Sequence, residues 1–273
     1  MTRFFADVHR LADKGWKKKS EENFHVYTVD GLDFSIALRV TDIPAKAGDE
    51  LYVDVTPVEL TDDFIELLRR GVRVYRLRRL DKLPNYRNGV KSARNDVLAM
   101  MSMDTTMFKE VSADFLEMSR LASEYRGVSL SLKQAIQRRT NSGKQKFKDY
   151  TKDINRLKSQ KNKLARKIIS LAKQKHSYFN YLTRVLGIDT RDSLYGRAAL
   201  AILLNYVDFS RGLRKILVYV GNYYPHHGRY NKIVKEAAQS LAMSVFKKRH
   251  KPRGKEIRQV LKTIRRALMA GEA

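Results

Sequence analysis

A strand–helix–strand pattern in the first third of the chain restricts the fold more than any other feature. The apolar run Leu51–Val55 precedes a segment with a helical apolar face, Thr61–Arg70. Gly71 can end that helix, and a second strand-like run, Val72–Leu77, follows it. Two strands joined by a helix within so short a segment predict a βαβ unit with parallel strands.

A β-hairpin is predicted ahead of this unit. Phe24–Thr28 and Asp33–Val40 are rich in β-branched and aromatic residues, and a turn sequence, Asp30 and Gly31, lies between them. Asn95–Met103 has a helical pattern. We therefore predict an α/β domain over residues 1–106.

The middle of the chain contains a heptad pattern. Apolar positions alternate spacings of three and four at Phe147, Tyr150, Ile154, Leu157, Lys161, Leu164, Ile168 and Leu171. This spacing predicts a coiled-coil seam, which must be buried against another helix of this chain or of a second copy. Lys161 stands at an a position, where a charge can fix the register. With a helix predicted over Met107–Arg126, we expect a helical, coiled-coil extension over 107–180 and a homo-oligomer formed through it.

The remaining residues have helical patterns interrupted by glycines. The helical segments are Tyr195–Tyr206, Gly212–Tyr219, Tyr230–Phe246 and Lys255–Met269. The first is apolar almost all round and is expected to be buried, whereas the last is basic and amphipathic. We predict a compact all-α domain over 181–246 and a basic tail over 247–273.

The charge balance limits the class of partner. The chain has 55 Lys and Arg against 29 Asp and Glu, a net charge of +26. Such an excess attracts phosphate backbones, so DNA or structured RNA is the expected partner; an anionic membrane and an acidic protein are the alternatives. No apolar run is long enough for a membrane span, and the N-terminus has no signal-peptide pattern. A cytoplasmic, nucleoid-associated protein is expected. With no cysteine, Cys-ligated metal sites are excluded.

Two stretches concentrate the positive charge, residues 133–175 and 247–266. The alternatives are a solvated coiled-coil face for the first stretch and membrane adsorption for the second. The residues expected to contact phosphate are Lys144, Lys146, Lys148, Lys158, Lys163, Arg166, Lys167, Lys247, Lys248, Arg249, Arg253 and Arg258.

Three aspartates are candidate catalytic residues and Mg²⁺ ligands. Asp7 and Asp54 lie in apolar strand-like segments, and Asp96 opens an apolar helical one. Phosphodiester chemistry with metal ions needs several carboxylates at one place, and an acid in a buried strand is costly without a partner. The alternatives are an ion pair between Asp54 and an arginine, and a helix-capping role for Asp96.

The order of these segments resembles the DEDD transposases of the IS-one-ten insertion-sequence family, relatives of the Piv-type DNA invertases. The motifs that carry the resemblance are Phe5–His9, Val53–Pro57, Phe64–Arg79, Lys91–Ala99, Gly196–Leu204, Phe209–Gly221 and Gly228–Ala238. The resemblance implies a RuvC-like RNase H domain, a coiled coil and a helical transposase domain. It also implies DNA, a guide RNA or both as ligands, and dimers or tetramers.

This chain departs from the family pattern at its catalytic positions. Ala93 stands where the third acid is expected, and Asp54 replaces a Glu. The stretch that would supply a serine nucleophile, residues 222–229, contains no serine. We therefore expect a nucleic-acid-binding relative with lost or altered strand-transfer activity. The alternatives are an active Mg²⁺-dependent recombinase or nuclease and a structural RNA-binding scaffold.

Overall fold

A computed structural model describes most of the chain, as two compact units. The described residues are 1–9, 24–141, 147–223, 230–248 and 250–271, without the side chains of 147–149. The first unit is Met1–Arg120 and the second is Leu121–Ala273. This division leaves the predicted four domains untested, because one unit can contain several of them.

The first unit is built on a six-stranded mixed sheet with the order β3-β2-β1-β4-β5-β6. The strands are β1 (Arg3–Asp7), β2 (His25–Thr28), β3 (Ser35–Ala37), β4 (Glu50–Val53), β5 (Arg73–Leu77) and β6 (Phe108–Glu110). Strand β1 pairs antiparallel with β2 and parallel with β4, and β4 pairs parallel with β5. The predicted hairpin and βαβ unit are confirmed, although β3 is shorter than the predicted Asp33–Val40: residues 33–34 and 38–39 lie outside the strand, and a 3-10 turn begins at Val40.

Two helices accompany this sheet, α1 (Thr61–Arg69) and α2 (Ala93–Met101). Helix α1 buries Phe64 and Leu67 completely, as its apolar face predicts. Gly71 follows with a φ of +84°, a conformation that side chains with a Cβ rarely adopt. The predicted helix and its glycine stop are therefore confirmed.

The aromatic core of the first unit explains one wrong prediction. Tyr52 stacks on Phe5 and Tyr75 at centroid distances of 4.9 and 4.8 Å, and Phe108 meets it edge-on at 5.1 Å. Residues 108–110 therefore form the edge strand β6, antiparallel to β5, instead of the start of the helix predicted from Met107. The helix begins at Ala113.

The second unit is helical. Its helices are α3 (Ala113–Asn141, which begins in the first unit), α4 (Phe147–Lys175), α5 (Phe179–Val185), α6 (Leu194–Tyr206), α7 (Leu213–Tyr219), α8 (Lys232–Val245) and α9 (Gly254–Ala270). Helix α6 packs against α4 and α8, and most of its residues are buried, as predicted. A Cβ at Gly196 would lie 2.5 Å from Ser244 Cβ, so this glycine permits a close approach of α6 and α8. Among the described helices, none has the length and apolarity that a membrane crossing requires.

The heptad seam is covered from within the chain. Ile154, Leu164 and Ile168 are buried, and Ile154 packs with Leu132 and Ala135 of α3. Helices α3 and α4 therefore pack against each other, and the helix that covers this part of the seam belongs to the same chain. A homo-oligomer through this seam stays a prediction, and the seam no longer requires one.

Lys161, the charged seam residue, lies between two tyrosine rings. Its ammonium nitrogen is 4.2 Å from the centroid of Tyr195 and 5.2 Å from that of Tyr125. Burial and then the charge of Lys133 lower the pKa of Lys161. The aromatic faces stabilise the cation and explain how the seam accommodates it.

Candidate acidic pair and nucleic-acid interface

The structure brings two of the three candidate aspartates together. In the parallel pairing of β1 and β4, Ala6 lies opposite Val53. The following residues, Asp7 and Asp54, therefore reach the same edge of the sheet, where both are buried. The backbone N–H of Val8 donates to Asp54 Oδ1 at 3.1 Å.

This pair has unusual electrostatics. Burial, and next the charge of Asp7, raise the pKa of Asp54 to about 7. Hydrogen bonds from the backbone N–H groups of Val8 and Val55 act in the opposite direction without cancelling it. Ionising both of two carboxylates at one buried site costs free energy. This edge of the sheet therefore favours the binding of a proton or a cation.

Two histidines that the sequence argument missed lie beside the pair. His9 Nε2 is 3.1 Å from Asp7 Oδ2, and the His9 backbone N–H donates to His25 Nδ1 at 3.2 Å. His25 is fully buried, and burial followed by the charge of His9 lowers its pKa. The signal for His9 was its position two residues after Asp7, since residues at i and i+2 of an extended segment point the same way.

Asp96 has a different partner. It lies buried in the first turn of α2, and the guanidinium of Arg87 binds its carboxylate. The arginine ion pair considered for Asp54 is therefore found at Asp96. Ser92 caps α2 by accepting from the Asn95 N–H, so Asp96 does not serve as the cap. Within the described residues, no three His, Asp or Glu side chains cluster as a metal site would require.

The two units differ completely in charge. Residues 1–120 contain 20 Lys and Arg and 20 Asp and Glu, whereas residues 121–273 contain 35 and 9. The net charge of +26 is therefore the charge of the second unit alone.

The predicted phosphate-contacting residues of α4 lie on its solvent side. Lys158, Lys163, Arg166 and Lys167 are exposed. Among the described residues of the second unit, Arg126, Arg156, Arg211 and Lys248 are examples of cations in ion pairs. Four cations of α4 thus remain available to an external anion.

The other predicted contacts lie around the start of α9. Lys247, Lys248, Arg253 and Arg258 are exposed. The carboxylate of Glu256 binds the Lys248 ammonium and accepts from the Arg253 backbone N–H, so Lys248 is already neutralised in part. Lys144, Lys146 and Arg249, and the side chain of Lys148, lie outside the described residues.

The acidic pair fits a divalent cation in part. Mg²⁺ prefers oxygen ligands and is commonly held by one or two carboxylates together with substrate phosphate oxygens. Asp7 and Asp54 supply two such carboxylates, whereas the structure pairs Asp96 with Arg87. No protein-family model and no curated protein matches this chain.

Proposed function

We propose that this protein binds the phosphate backbone of a nucleic acid through its second unit. The observation that carries the proposal is the concentration of all 26 net positive charges in residues 121–273. A folded surface with so few acids repels itself until a polyanion neutralises it. Releasing the counterions of the nucleic acid then drives association.

The exposed cations of α4 form the centre of this interface. Lys163 and Lys167 are four residues apart, so they lie one helical turn from each other on the same face. Lys158 and Arg166 extend the exposed charge along and around the helix. Several separated charges along a rigid rod suit a repeating phosphate backbone better than a single small anion.

We further propose descent from the DEDD transposases, with an RNase H-like first unit. Three features support this proposal: β1 to β3 form an antiparallel meander, β1 pairs parallel with β4, and both β1 and β4 carry an acid at their carboxyl end. The ion pair of Asp96 with Arg87, and Ala93 in place of an acid, support a site with altered or lost strand transfer.

The binding test is a salt titration of affinity for duplex DNA, single strands and folded RNA. For duplex DNA, each neutralised phosphate contributes about 0.9 to the slope of log K against log salt. Replacing Lys158, Lys163, Arg166 and Lys167 together with Gln should lower that slope by up to about 3.6. The matched control is Lys91→Gln, an exposed lysine of the neutral first unit. An affinity that does not change with salt concentration overturns the proposal. A strong preference for folded RNA with no metal requirement favours a structural RNA-binding scaffold.

A Mg²⁺-dependent nuclease or recombinase is the second candidate, favoured by the acidic pair. A divalent cation at Asp7 and Asp54 would activate a nucleophile and stabilise the leaving oxygen. The test is Mg²⁺-dependent cleavage of labelled DNA by wild type, Asp54→Ala and Asp33→Ala, the last being an exposed acid. Cleavage lost only in Asp54→Ala supports this candidate, and the absence of cleavage in wild type removes it.

A further inference from the structure

A cationic cleft of about 460 Å³ lies within the second unit. It opens between α4, the short 3-10 turn Arg191–Ser193 and the start of α6. Four cations line it, namely Arg166, Lys173, Arg191 and Arg197, together with Ser170, Ile169 and Leu194. None of the lining residues is acidic, so positive charge predominates along the walls of the cleft.

Helical spacing creates this cleft from two separate segments. Arg166, Ser170 and Lys173 follow one another at intervals of four and three, so α4 presents them on one face. Arg191 precedes the start of α6 by three residues, and Arg197 lies three residues after that start. The packing of α4 against α6 then brings the two sets together.

Arg197 points to an anionic ligand in particular. Its Nε is buried and has no hydrogen-bond partner among the residues that the structure describes. A buried donor without an acceptor costs free energy, and a guanidinium provides a fork of donors that matches two oxygens of one anion. An anion in the cleft would offer acceptors to this guanidinium.

The N-terminus of α6 adds to the same potential. Its N-cap, Ser193, makes no capping hydrogen bond to the helix among the described residues, and its hydroxyl pairs instead with Thr190 Oγ1 at 3.1 Å. Backbone N–H groups of a first turn carry a partial positive charge and favour anions. Leu194, the first residue of the helix, lines the cleft.

We propose that this cleft binds a single phosphate group. The three arginines are able to bind phosphate oxygens in pairs, Lys173 adds a point charge, and the Ser170 hydroxyl is a further donor. The identification of that group as a phosphate of the bound strand rests on the proposed function. A free phosphate compound is the other source of the same chemistry.

The first arm of the test uses inorganic phosphate, titrated calorimetrically into the full chain at constant ionic strength. Wild type is compared with Arg191→Met, Lys173→Met and Arg197→Met, and with Arg184→Met as the matched control. Arg184 is an exposed arginine of α5 that does not line the cleft. We expect affinity to fall about tenfold in the three cleft variants and to stay unchanged in the control.

Arg191 and Lys173 are exposed, so these variants remain informative if Arg197→Met fails to fold. Equal phosphate affinity in wild type, Arg191→Met and Lys173→Met overturns the proposal, as does the absence of phosphate binding in wild type.

The second arm identifies the source with a single-stranded oligonucleotide. If the cleft holds a strand phosphate, Arg191→Met should reduce the slope of log K against log salt by about 0.7 while Arg184→Met leaves it unchanged. If phosphate affinity falls but strand binding does not, the cleft takes a free phosphate compound. If wild type binds phosphate and no nucleic acid at any salt concentration, the proposed function fails while this site stands.

Discussion

The first unit holds as many acids as bases, and its described arginines are repeatedly paired with them, whereas the second unit holds 35 bases and 9 acids. In the first unit Glu50 alone binds both Arg3 and Arg73, and Asp62 binds Arg120. In the second, four exposed cations of α4 have no such partner among the described residues. Ion pairing therefore uses much of the charge inside the first unit, whereas the second unit keeps exposed charge that our proposal assigns to binding.

The largest effect is expected when the buried ion pair between Arg87 and Asp96 in the first unit is removed. Arg87→Met leaves the carboxylate of Asp96 buried without its partner, which should cost about 3–5 kcal/mol of unfolding free energy. Urea denaturation measures this loss. The double variant Arg87→Met with Asp96→Asn should recover most of the stability, because it removes the unpaired charge. A single variant as stable as wild type would show that Asp96 does not depend on Arg87.

The acidic pair gives the next largest effect. The folded-state pKa of Asp54, about 7, lies above its ordinary value of 3.8, so the folded protein binds this proton more tightly than the unfolded chain. Its contribution to stability is thus present below about pH 4 and is lost as pH rises toward 7. In the presence of a chelator, Asp54→Asn should be more stable than wild type by about 2–4 kcal/mol at pH 8, with a small difference at pH 4.

Thermal melts across this pH range measure that difference. Asp33→Asn, at an exposed acid, is the control and should show no such pH dependence. Adding Mg²⁺ should stabilise wild type more than Asp54→Asn if the pair holds a cation. A pH-independent difference between wild type and Asp54→Asn would contradict the raised pKa.

The smallest effect concerns Lys161, a cation of the second unit that is held by aromatic rings. Lys161→Met loses the attraction of Tyr125 and Tyr195 but also loses the cost of burying a charge. We expect the unfolding free energy to change by less than about 1 kcal/mol, with Lys152→Met as an exposed control on the same helix. A larger loss in chemical denaturation would show that this ammonium is a structural cation after all.

Local patterns were sufficient to predict much of the first unit. The order of strand, helix, glycine and strand predicted β4, α1 and β5. The candidate acids Asp7 and Asp54 were identified from their apolar segments, whereas the parallel pairing of β1 with β4 that brings them together appears only in the structure. The edge strand β6 was missed because three residues show no periodicity and its pairing with β5 spans about thirty positions. The bond between Arg87 and Asp96 was missed for a similar reason, since it depends on how the loop before α2 folds back.

On the cationic surface, too, local patterns could be predicted but contacts between distant segments could not. The exposed lysines of α4 follow from helical periodicity, so they could be predicted. The cleft could not be predicted. Arg166 and Lys173 lie in the basic stretch 133–175, but only Arg166 was an expected phosphate contact, and Arg191 and Arg197 join them through packing of α4 on α6.

The unequal distribution of charge has a consequence for the life of the protein in the cell. A unit with so large a positive excess gains stability from any anion that binds only its folded form, in proportion to the logarithm of that anion's concentration. If the second unit binds nucleic acid as proposed, proteolytic turnover of residues 121–273 should slow when nucleic acid is abundant and quicken when it is scarce, so that the ligand protects its own receptor from degradation.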